Sequence, residues 1–410
     1  MTANTIELQG HIIDSLILPR VWDTIMDMGG DFHVEEMRVG HTKTEPSYVR
    51  MQVTAPDPTL LDEIILQVQQ LGARVVEPKD VRTTPVTQAG VLPPDFYATT
   101  NLPTRVRING TWVEVANIEM DVAIVVDYER GAAFTRPMHE VQPGDHVVVG
   151  HDGIAVTPLE RARERETFAF MQSDVSSEHT KLRAIREIAA QMRAMRTAGQ
   201  KILFVLGPAV VHTGAGRYIA DLIHTGYIQV IFGGNAIVTH DVETALFGTS
   251  LGISVTTGEP VEGGHRNHLR AINTVRAIGD LRRAIEQGII THGITYEALR
   301  HDVEMVLAGS IRDDGPMPGV ITDMVEAQAR MRQAIRGVGM AVMISSMLHA
   351  IATGNLLPAT VKTVVVDINP AVVTKLADRG TTQAVGLVTD AELFLRELAR
   401  ELVDRPSPCR

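Results

Sequence analysis

Short apolar runs alternate with helix-like stretches through the second half of this chain. The run Lys201–Leu206 is uninterrupted, which is typical of a strand buried on both faces of a parallel sheet. Similar runs follow at Ile228–Phe232 and Val361–Val366, and the helix-like stretches are Arg217–His224, Leu269–Ile285, Thr322–Ile335 and Ala341–Ala350. This alternation predicts a doubly wound α/β domain.

The chain has 410 residues, which is too long for one ordinary domain. The charged segment Glu160–Glu166 has the composition of a linker that leads into the α/β domain. We therefore predict three domains: a ferredoxin-like α+β domain over 1–95, a small β-rich module over 96–165 and the α/β domain over 166–410.

Residues 1 to 80 predict the β-α-β-β-α-β order of a ferredoxin-like domain. The predicted elements are a strand at Gly10–Leu16, a helix from Pro19 to Gly29, a strand at Val49–Val53, a helix from Asp57 to Gly72 and a strand at Ala73–Val76. Domains of this shape bind amino acids or mediate dimers, and the fold alone does not decide between the two.

The following module is rich in strand signals. Asn109-Gly110 separates the β-like runs Val106–Ile108 and Trp112–Val115, which is a strong signal of a two-residue hairpin. Val122–Val126 and His146–Val149 are further apolar strands. We expect a small barrel or sandwich.

Charge and composition exclude several classes of function. The net charge is −11 without any basic block, so nucleic acid is not expected as a partner. The single cysteine, Cys409, permits no internal disulfide, and the N-terminus has no signal-peptide pattern. Residues 337–361 lack charge, but polar residues and Pro358 interrupt them, so we predict a buried helix and strand and no membrane span. A cytoplasmic protein is expected.

Three predicted strand ends carry groups that suit a nucleotide. Leu206–Gly216 contains a G-x-G, although Ile219 stands where a dinucleotide fingerprint has its third glycine. Gly233-Gly-Asn235 would let a ligand approach the backbone, and Asp367 could bind the two hydroxyls of a ribose. A turn glycine or a helix N-cap explains each signal alone, but three in one domain favour a nucleotide site.

The segment Gly309–Pro318 is the densest polar cluster. Asp313 or Asp314 could hold the ammonium group of an amino acid while Arg312 holds its carboxylate. A solvated turn with one capping aspartate explains the segment about equally well.

A second polar cluster, Glu262–His268, offers Arg266 to a carboxylate or phosphate. The alternative is a helix N-terminus capped by Asn267. His265 and His268 have no partner at metal-ligand spacing, so no metal is predicted.

Longer motifs carry a resemblance to a known family. Gly207-Pro-Ala209, Gly233-Gly-Asn-Ala236, Gly309-Ser-Ile-Arg-Asp-Asp-Gly-Pro316 and Val364-Val-Val-Asp-Ile-Asn-Pro370 resemble the alternative NAD-dependent ornithine cyclodeaminase family. The N-terminal motifs, from Asp14 to Tyr48, are similar to the lysine-oxoglutarate reductase/saccharopine dehydrogenase conserved region that accompanies it. More distantly, the α/β domain resembles the Rossmann-like NAD domain of deoxyhypusine synthase, but Lys375 is a poor substitute for that enzyme's catalytic lysine.

The resemblance implies a set of contacts with NAD. The implied residues are Asn235, Ala236, Asp314, Ser346, Met347, Leu348, His349, Asp367 at the adenosine ribose, and Asp390 and Ala391 on the far side.

The implied reaction converts L-ornithine to L-proline and ammonia, with bound NAD⁺ taking a hydride and returning it. For catalysis we assign Asp314 as base or ammonium ligand and Arg312 or Arg266 as carboxylate clamp. The expected partners are a small amino acid and further copies of this chain in a homo-oligomer. An NAD-dependent amino-acid dehydrogenase and a non-catalytic amino-acid sensor are the alternatives.

Overall fold

The computed structural model describes residues 2–42, 45–158, 178–313, 315–379 and 384–403, which fall into two compact units. The first unit holds the described residues up to 158 together with Leu357–Thr360, and the second holds the others. The predicted linker Glu160–Glu166, Asp314 and Cys409 lie outside the described residues. The three-domain division, with boundaries at 95 and 165, stays a prediction.

The first part of unit one has the predicted β-α-β-β-α-β order. Its elements are β1 (Thr2–Gly10), α1 (Ile17–Asp27), β2 (Asp31–Arg38), β3 (Ser47–Ala55), α2 (Pro58–Gln70) and β4 (Arg74–Val75). The sheet order β2-β3-β1-β4 is antiparallel throughout, as in a ferredoxin-like fold. As predicted, α2 begins after Asp57, whose carboxylate accepts from the Leu60 amide at 3.0 Å.

The predicted strand at Gly10–Leu16 is wrong. The strand ends at Gly10, and residues 11–16 turn into α1, with Leu16 in the left-handed region at φ 56°. Ile6 and Leu8 supply the period-2 burial of a strand on one face of the sheet, while Ile12 enters the same core from the turn. The apolar residues Ile12 and Ile13 resemble a strand in the sequence because they lie close to Gly10, but they follow the end of β1.

The rest of unit one is a single seven-stranded sheet of order β11-β6-β7-β9-β8-β10-β5, not two packed sheets. The Val81 amide, just before β5, donates to the carbonyl of Arg107 in β6, so the sheet curls. The predicted hairpin is confirmed, since β6 and β7 flank Asn109-Gly110. The strands are β5 (Arg82–Pro85), β6 (Thr104–Ile108), β7 (Thr111–Ala116), β8 (Ala123–Asp127), β9 (Ala132–Arg136), β10 (His146–Val149) and β11 (Ile154–Val156).

Unit two contains the predicted doubly wound domain. Its six-stranded parallel sheet has the order β16-β13-β12-β17-β18-β19, so the chain moves outward in one direction from β12 and in the other from β17. The strands are β12 (Lys201–Leu206), β13 (Val230–Gly234), β16 (Glu304–Ala308), β17 (Val338–Ile344), β18 (Lys362–Asp367) and β19 (Ala384–Val388). A small hairpin, β14 (Thr249–Ser250) and β15 (Ile253–Ser254), lies between β13 and β16 in the sequence.

Helices connect these strands. They are α3 (Glu178–Thr197), α4 (Ala209–His212), α5 (Gly216–His224), α6 (Asn235–Phe247), α7 (Asn267–Ile278), α8 (Leu281–Glu286), α9 (Ile294–Arg300), α10 (Met324–Ala334), α11 (Leu348–Leu356), α12 (Pro370–Arg379) and α13 (Ala391–Leu402). The single predicted helix Leu269–Ile285 is wrong, because Gly279 at φ 116° ends α7 and Asp280 caps α8.

The predicted helix Ala341–Ala350 is also wrong. Residues 338–344 form the strand β17, which pairs with β12 and β18, and the helix α11 begins only at Leu348. A strand buried on both faces shows no period-2 alternation, so the sequence pattern does not distinguish its apolar run from a buried helix. None of the described helices combines the length and apolar character that crossing a membrane requires.

Candidate functional site

The doubly wound sheet has one switch point, where β12 and β17 lie side by side and their connections lead in opposite directions. Ligands of such sheets bind beyond the carboxyl ends of the strands at this point. Here the backbones after the two strands almost touch: the Gly207 amide donates to the Ile344 carbonyl at 2.9 Å. A Cβ atom on Gly207 would lie 2.5 Å from the carbonyl carbon of Ser345 and closer still to its oxygen, so only glycine fits.

Asn235 begins α6 directly after β13, and it is buried. Its Oδ1 accepts from the Met317 amide at 2.9 Å and from the Thr239 hydroxyl at 3.1 Å. Asn235 therefore fastens the predicted substrate segment Gly309–Pro318 to the first turn of α6, and its NH₂ group is what it has left to offer a ligand. Ala236 follows it and is half-buried.

The segment Gly309–Pro318 follows β16. The carboxylate of Asp313 accepts from the Ser310 amide at 2.8 Å, and the Ser310 hydroxyl accepts from the Arg312 amide at 3.0 Å. Arg312 is exposed, and the side chain of the neighbouring Ile311 is fully exposed to solvent. Asp313 thus shapes the turn that carries Arg312.

His349 lies where this segment meets the strand ends. A Cβ atom on Gly234 would lie 3.1 Å from Cε1 of His349, so the lack of a side chain at the last residue of β13 leaves room for the imidazole ring. Burial lowers the pKa of His349, and its hydrogen bond to the Ala308 carbonyl and the nearby Asp313 carboxylate offset this only in part. The ring is therefore neutral near pH 7, with one nitrogen donating to Ala308 and the other able to accept a proton.

The other half of the crevice is formed by the ends of β18 and β19. One carboxylate oxygen of Asp367 accepts from the Asn369 amide at 2.8 Å, and among the described residues the second oxygen has no partner, so it is available to a ligand. Thr389, after β19, donates its amide to the carbonyl of Asp367 at 3.1 Å. Asp390 caps α13 by accepting from the Glu392 and Leu393 amides, and Ala391 is buried.

At the entry to α11, Ser346 is half-buried and its amide nitrogen lies close to Gly207. Met347 and Leu348 are 50% and 72% exposed, an unusual position for apolar side chains at the rim of a crevice.

A buried polar cluster close by was missed by the sequence motifs. Glu243 is fully buried and accepts from Nδ1 of His240 at 2.8 Å, from the Thr249 hydroxyl at 2.8 Å and from the amides of Leu251 and Gly252. Burial alone would raise the pKa of Glu243, but these hydrogen bonds outweigh it and the pKa is lowered. His240 and Glu243, three apart in an apolar helix, were the available sequence signal.

His212, at the end of α4, belongs to the same cluster. Its ring lies 4.8 Å from that of His240, and its Nδ1 lies 2.7 Å from the Ser250 hydroxyl. Burial, together with His240, lowers the pKa of His212 to about 4. His212 is therefore a neutral histidine in the connection that follows β12.

Unit one contains a separate polar cavity of about 450 Å³, lined by residues that include Arg50, Arg74, Lys79 and Trp112. It includes none of the residues predicted for the cofactor and no switch point of a parallel sheet. The candidate nucleotide site is therefore the crevice in unit two.

Three family models match consecutive parts of the chain. The LOR/SDH bifunctional enzyme conserved region matches residues 3–102, and the first C-terminal region of the arginine dihydrolase ArgZ-like proteins matches 103–185. Their C-terminal Rossmann-fold region matches 186–398, which is more than half of the chain. The chain belongs to the ArgZ-like family.

Relatives of this ArgZ-like chain span it from end to end. An ornithine cyclodeaminase of Methanopyrus kandleri is 54% identical and covers 97% of this chain and 96% of its own. The bifunctional arginine dihydrolase/ornithine cyclodeaminase ArgZ of Synechocystis is 42% identical over 99% of this chain, which corresponds to 59% of ArgZ.

Two solved structures of larger relatives are similar. Apo ArgZ matches with a TM-score of 0.86 and 39% identity over 98% of this chain and 58% of its own. A ternary complex of AgrE with ornithine and NAD⁺ matches with a TM-score of 0.54 and 41% identity over 98% of this chain and 57% of its own.

Among the residues predicted for this ArgZ-like chain, the structure brings Asn235, Ser346 and His349 to the strand ends around the switch point. Asp367 follows next along the same edge. Arg266 is exposed in the turn before α7, and within the described residues its guanidinium group makes no hydrogen bond or ion pair with any of them.

Proposed function

We propose that this chain is an ornithine cyclodeaminase that converts L-ornithine to L-proline and ammonia with a bound NAD⁺. The observation that carries the proposal is the 54% sequence identity with an ornithine cyclodeaminase of Methanopyrus kandleri over 97% of this chain. A relative that binds ornithine and NAD⁺ together supports both the substrate and the cofactor.

The crevice fits NAD on structural grounds. The strand order creates a switch point, and the backbone after β12 carries no side chain at Gly207. Asp367 has one carboxylate oxygen without a partner among the described residues, which a ribose hydroxyl could use. We assign the pyrophosphate to the segment before α11, where Ser346 precedes the first turn of the helix, whose amides have no partner within the helix. NAD⁺ bound here supplies the acceptor for the α-hydride and the donor that returns it.

The chain's own residues must then orient the substrate and move protons. Burial lowers the pKa of His349, so its ring is neutral near pH 7 and one nitrogen is available to accept a proton from the substrate's amino group. Asn235 holds the segment Gly309–Pro318 against α6, which fixes the described side chains of that segment relative to His349.

We retain Asp314 as base or ammonium ligand and Arg312 or Arg266 as carboxylate clamp. What supports Arg312 and Asp314 is that they flank Asp313, whose carboxylate holds the turn after β16 in one shape. Asp314→Asn should lower kcat at least 100-fold, the usual worth of a general base or more. Asp323→Asn is the matched control, because asparagine can still cap α10 from the same connection. Unchanged turnover in Asp314→Asn would remove Asp314 from the mechanism.

One incubation separates the proposal from its alternatives. Purified protein is mixed with ornithine and substoichiometric NAD⁺, and proline, ammonia and NADH are measured. A cyclodeaminase yields many equivalents of proline and ammonia per NAD⁺, a dehydrogenase yields no more NADH than the NAD⁺ supplied, and a sensor yields no product.

We further propose that the enzyme serves proline biosynthesis in the cytoplasm as a homo-oligomer. The acidic chain with a ferredoxin-like domain supports the oligomer. Light scattering coupled to size-exclusion chromatography measures the molar mass, and a monomer at micromolar concentration would contradict this part.

A further inference from the structure

Two histidines and a glutamate meet on the surface of unit two, away from the residues assigned to the reaction. His224 is the last residue of α5, and Glu297 and His301 are one helical turn apart at the end of α9. Nδ1 of His224 lies 3.5 Å from Oε2 of Glu297, and Nε2 of His301 lies 3.2 Å from the same oxygen. The ligand atoms of the three residues all lie within 4.8 Å of one another.

These distances are close to those of a metal centre. Zinc bonds of about 2.0–2.1 Å to nitrogen and oxygen place tetrahedral ligand atoms about 3.3–3.5 Å apart. Two of the three separations already have this size, and rotation of the exposed His224 ring can shorten the third. Two imidazoles and one carboxylate form a donor set that first-row transition ions accept and Mg²⁺ does not prefer.

The three side chains are carried by helices that are held in place. The buried carboxylate of Asp241 accepts from the amides of Ile294 and Thr295 at 2.9 and 2.7 Å, which fixes the start of α9 one turn before Glu297. Helices α5 and α9 pack against each other. The ligands therefore need no rearrangement of the backbone to meet on one ion.

We propose that His224, Glu297 and His301 bind a divalent first-row transition ion, with water in the remaining positions. The helices α5 and α9 lead into β13 and β16, so their carboxyl ends lie near the amino ends of those strands, at the sheet edge opposite the switch point. The ion is therefore structural: it clamps the two helices together and takes no part in turnover.

The test uses the full chain without a histidine tag, dialysed against a chelator and titrated calorimetrically with Zn²⁺ and, separately, Mg²⁺. We expect zinc binding with a micromolar dissociation constant, at least 100-fold tighter than Mg²⁺, and a rise in Tm when zinc is added. His301→Ala should weaken the binding at least 10-fold and abolish the rise in Tm. Glu297→Gln should do the same while keeping the shape of the side chain.

The matched control is His139→Ala in unit one. His139 is an exposed histidine whose Nε2 lies 3.6 Å from Oε1 of Glu140, and among the residues that the structure describes this pair has no third ligand group beside it. Its loss should leave zinc binding unchanged. The proposal is overturned if zinc binds no tighter than Mg²⁺, or if both variants at the site bind zinc like the wild type.

Discussion

The close approach of two backbones at the switch point makes Gly207→Ala the sharpest test of the site. The added Cβ would lie 2.5 Å from the Ser345 carbonyl carbon and 3.2 Å from the Ser346 amide nitrogen. These neighbours and the Ser345 carbonyl oxygen, which lies closer still, are all backbone atoms, so relief requires the connections after β12 and β17 to separate by well over 1 Å to reach ordinary contact distances of about 3.5–4.0 Å.

The magnitude follows from what the separation costs. Overpacking of this kind costs about 1–3 kcal/mol, and losing the hydrogen bond from the Gly207 amide to Ile344 adds about 1 kcal/mol. The free energy of unfolding should therefore fall by about 2–4 kcal/mol. Since the same two backbones form the proposed pyrophosphate site, the Kd for NAD⁺ should rise at least 10-fold, or about 1.4 kcal/mol.

Gly354→Ala is the matched control. Gly354 lies inside α11, and a Cβ there would meet no atom within 4 Å apart from its chain neighbours and the helix's own backbone. Alanine in a helix interior should stabilise the protein by up to about 1 kcal/mol and leave NAD⁺ affinity unchanged. Urea denaturation and calorimetric titration with NAD⁺ measure both quantities. If Gly207→Ala bound NAD⁺ within threefold of wild type and unfolded at the same urea concentration, the assignment of the crevice would be refuted.

Four further changes follow from the contacts of the site. Glu243→Gln leaves buried donors without a charged acceptor and should lower the free energy of unfolding by about 3 kcal/mol in urea; a loss below about 1 kcal/mol would contradict it. Because the pKa of His212 is depressed to about 4, its stabilisation is present above the unfolded pKa and is lost as the pH falls to 4, so His212→Gln should flatten this loss in melts across that range. His349→Asn should lower kcat at least 100-fold, and the wild-type acid limb should lie below the ordinary histidine pKa. Asp390→Ala should cost about 1 kcal/mol as a lost cap, while Asp390→Asn should cost less, as measured by denaturation.

The doubly wound domain was predictable because its signals are local. The apolar run Lys201–Leu206 and the glycines or acids at the strand ends are read from neighbouring residues, and the structure confirms them as strands and turns of one sheet. The order of strands is not local, and the βαβ pattern alone does not determine it, because doubly wound sheets occur in more than one order.

The failures also have physical causes. In β17 both faces are buried, so period-2 patterning is absent and the apolar run is not distinguished from a buried helix. The cluster around Glu243 and the group of His224, Glu297 and His301 join segments that are distant in the sequence. Motifs defined by residue spacing cannot predict such contacts. Sequence motifs identified the glycine-rich and acidic turns at the strand ends, whereas contacts between distant segments were visible only in the structure.

Asn235 shows why this distinction matters for function. The sequence places it among the NAD contacts, and the structure adds that its Oδ1 is already occupied by Thr239 and by the backbone of Met317. Removing its side chain would therefore release the connection after β16, which carries the proposed substrate-binding residues, as well as a contact to the cofactor. If NAD⁺ contacts Asn235 as proposed, the hydrogen bond from the Met317 amide to Asn235 would link cofactor binding directly to the segment Gly309–Pro318. On the proposed assignment, the same buried amide would contribute both to cofactor binding and to the conformation of the segment Gly309–Pro318.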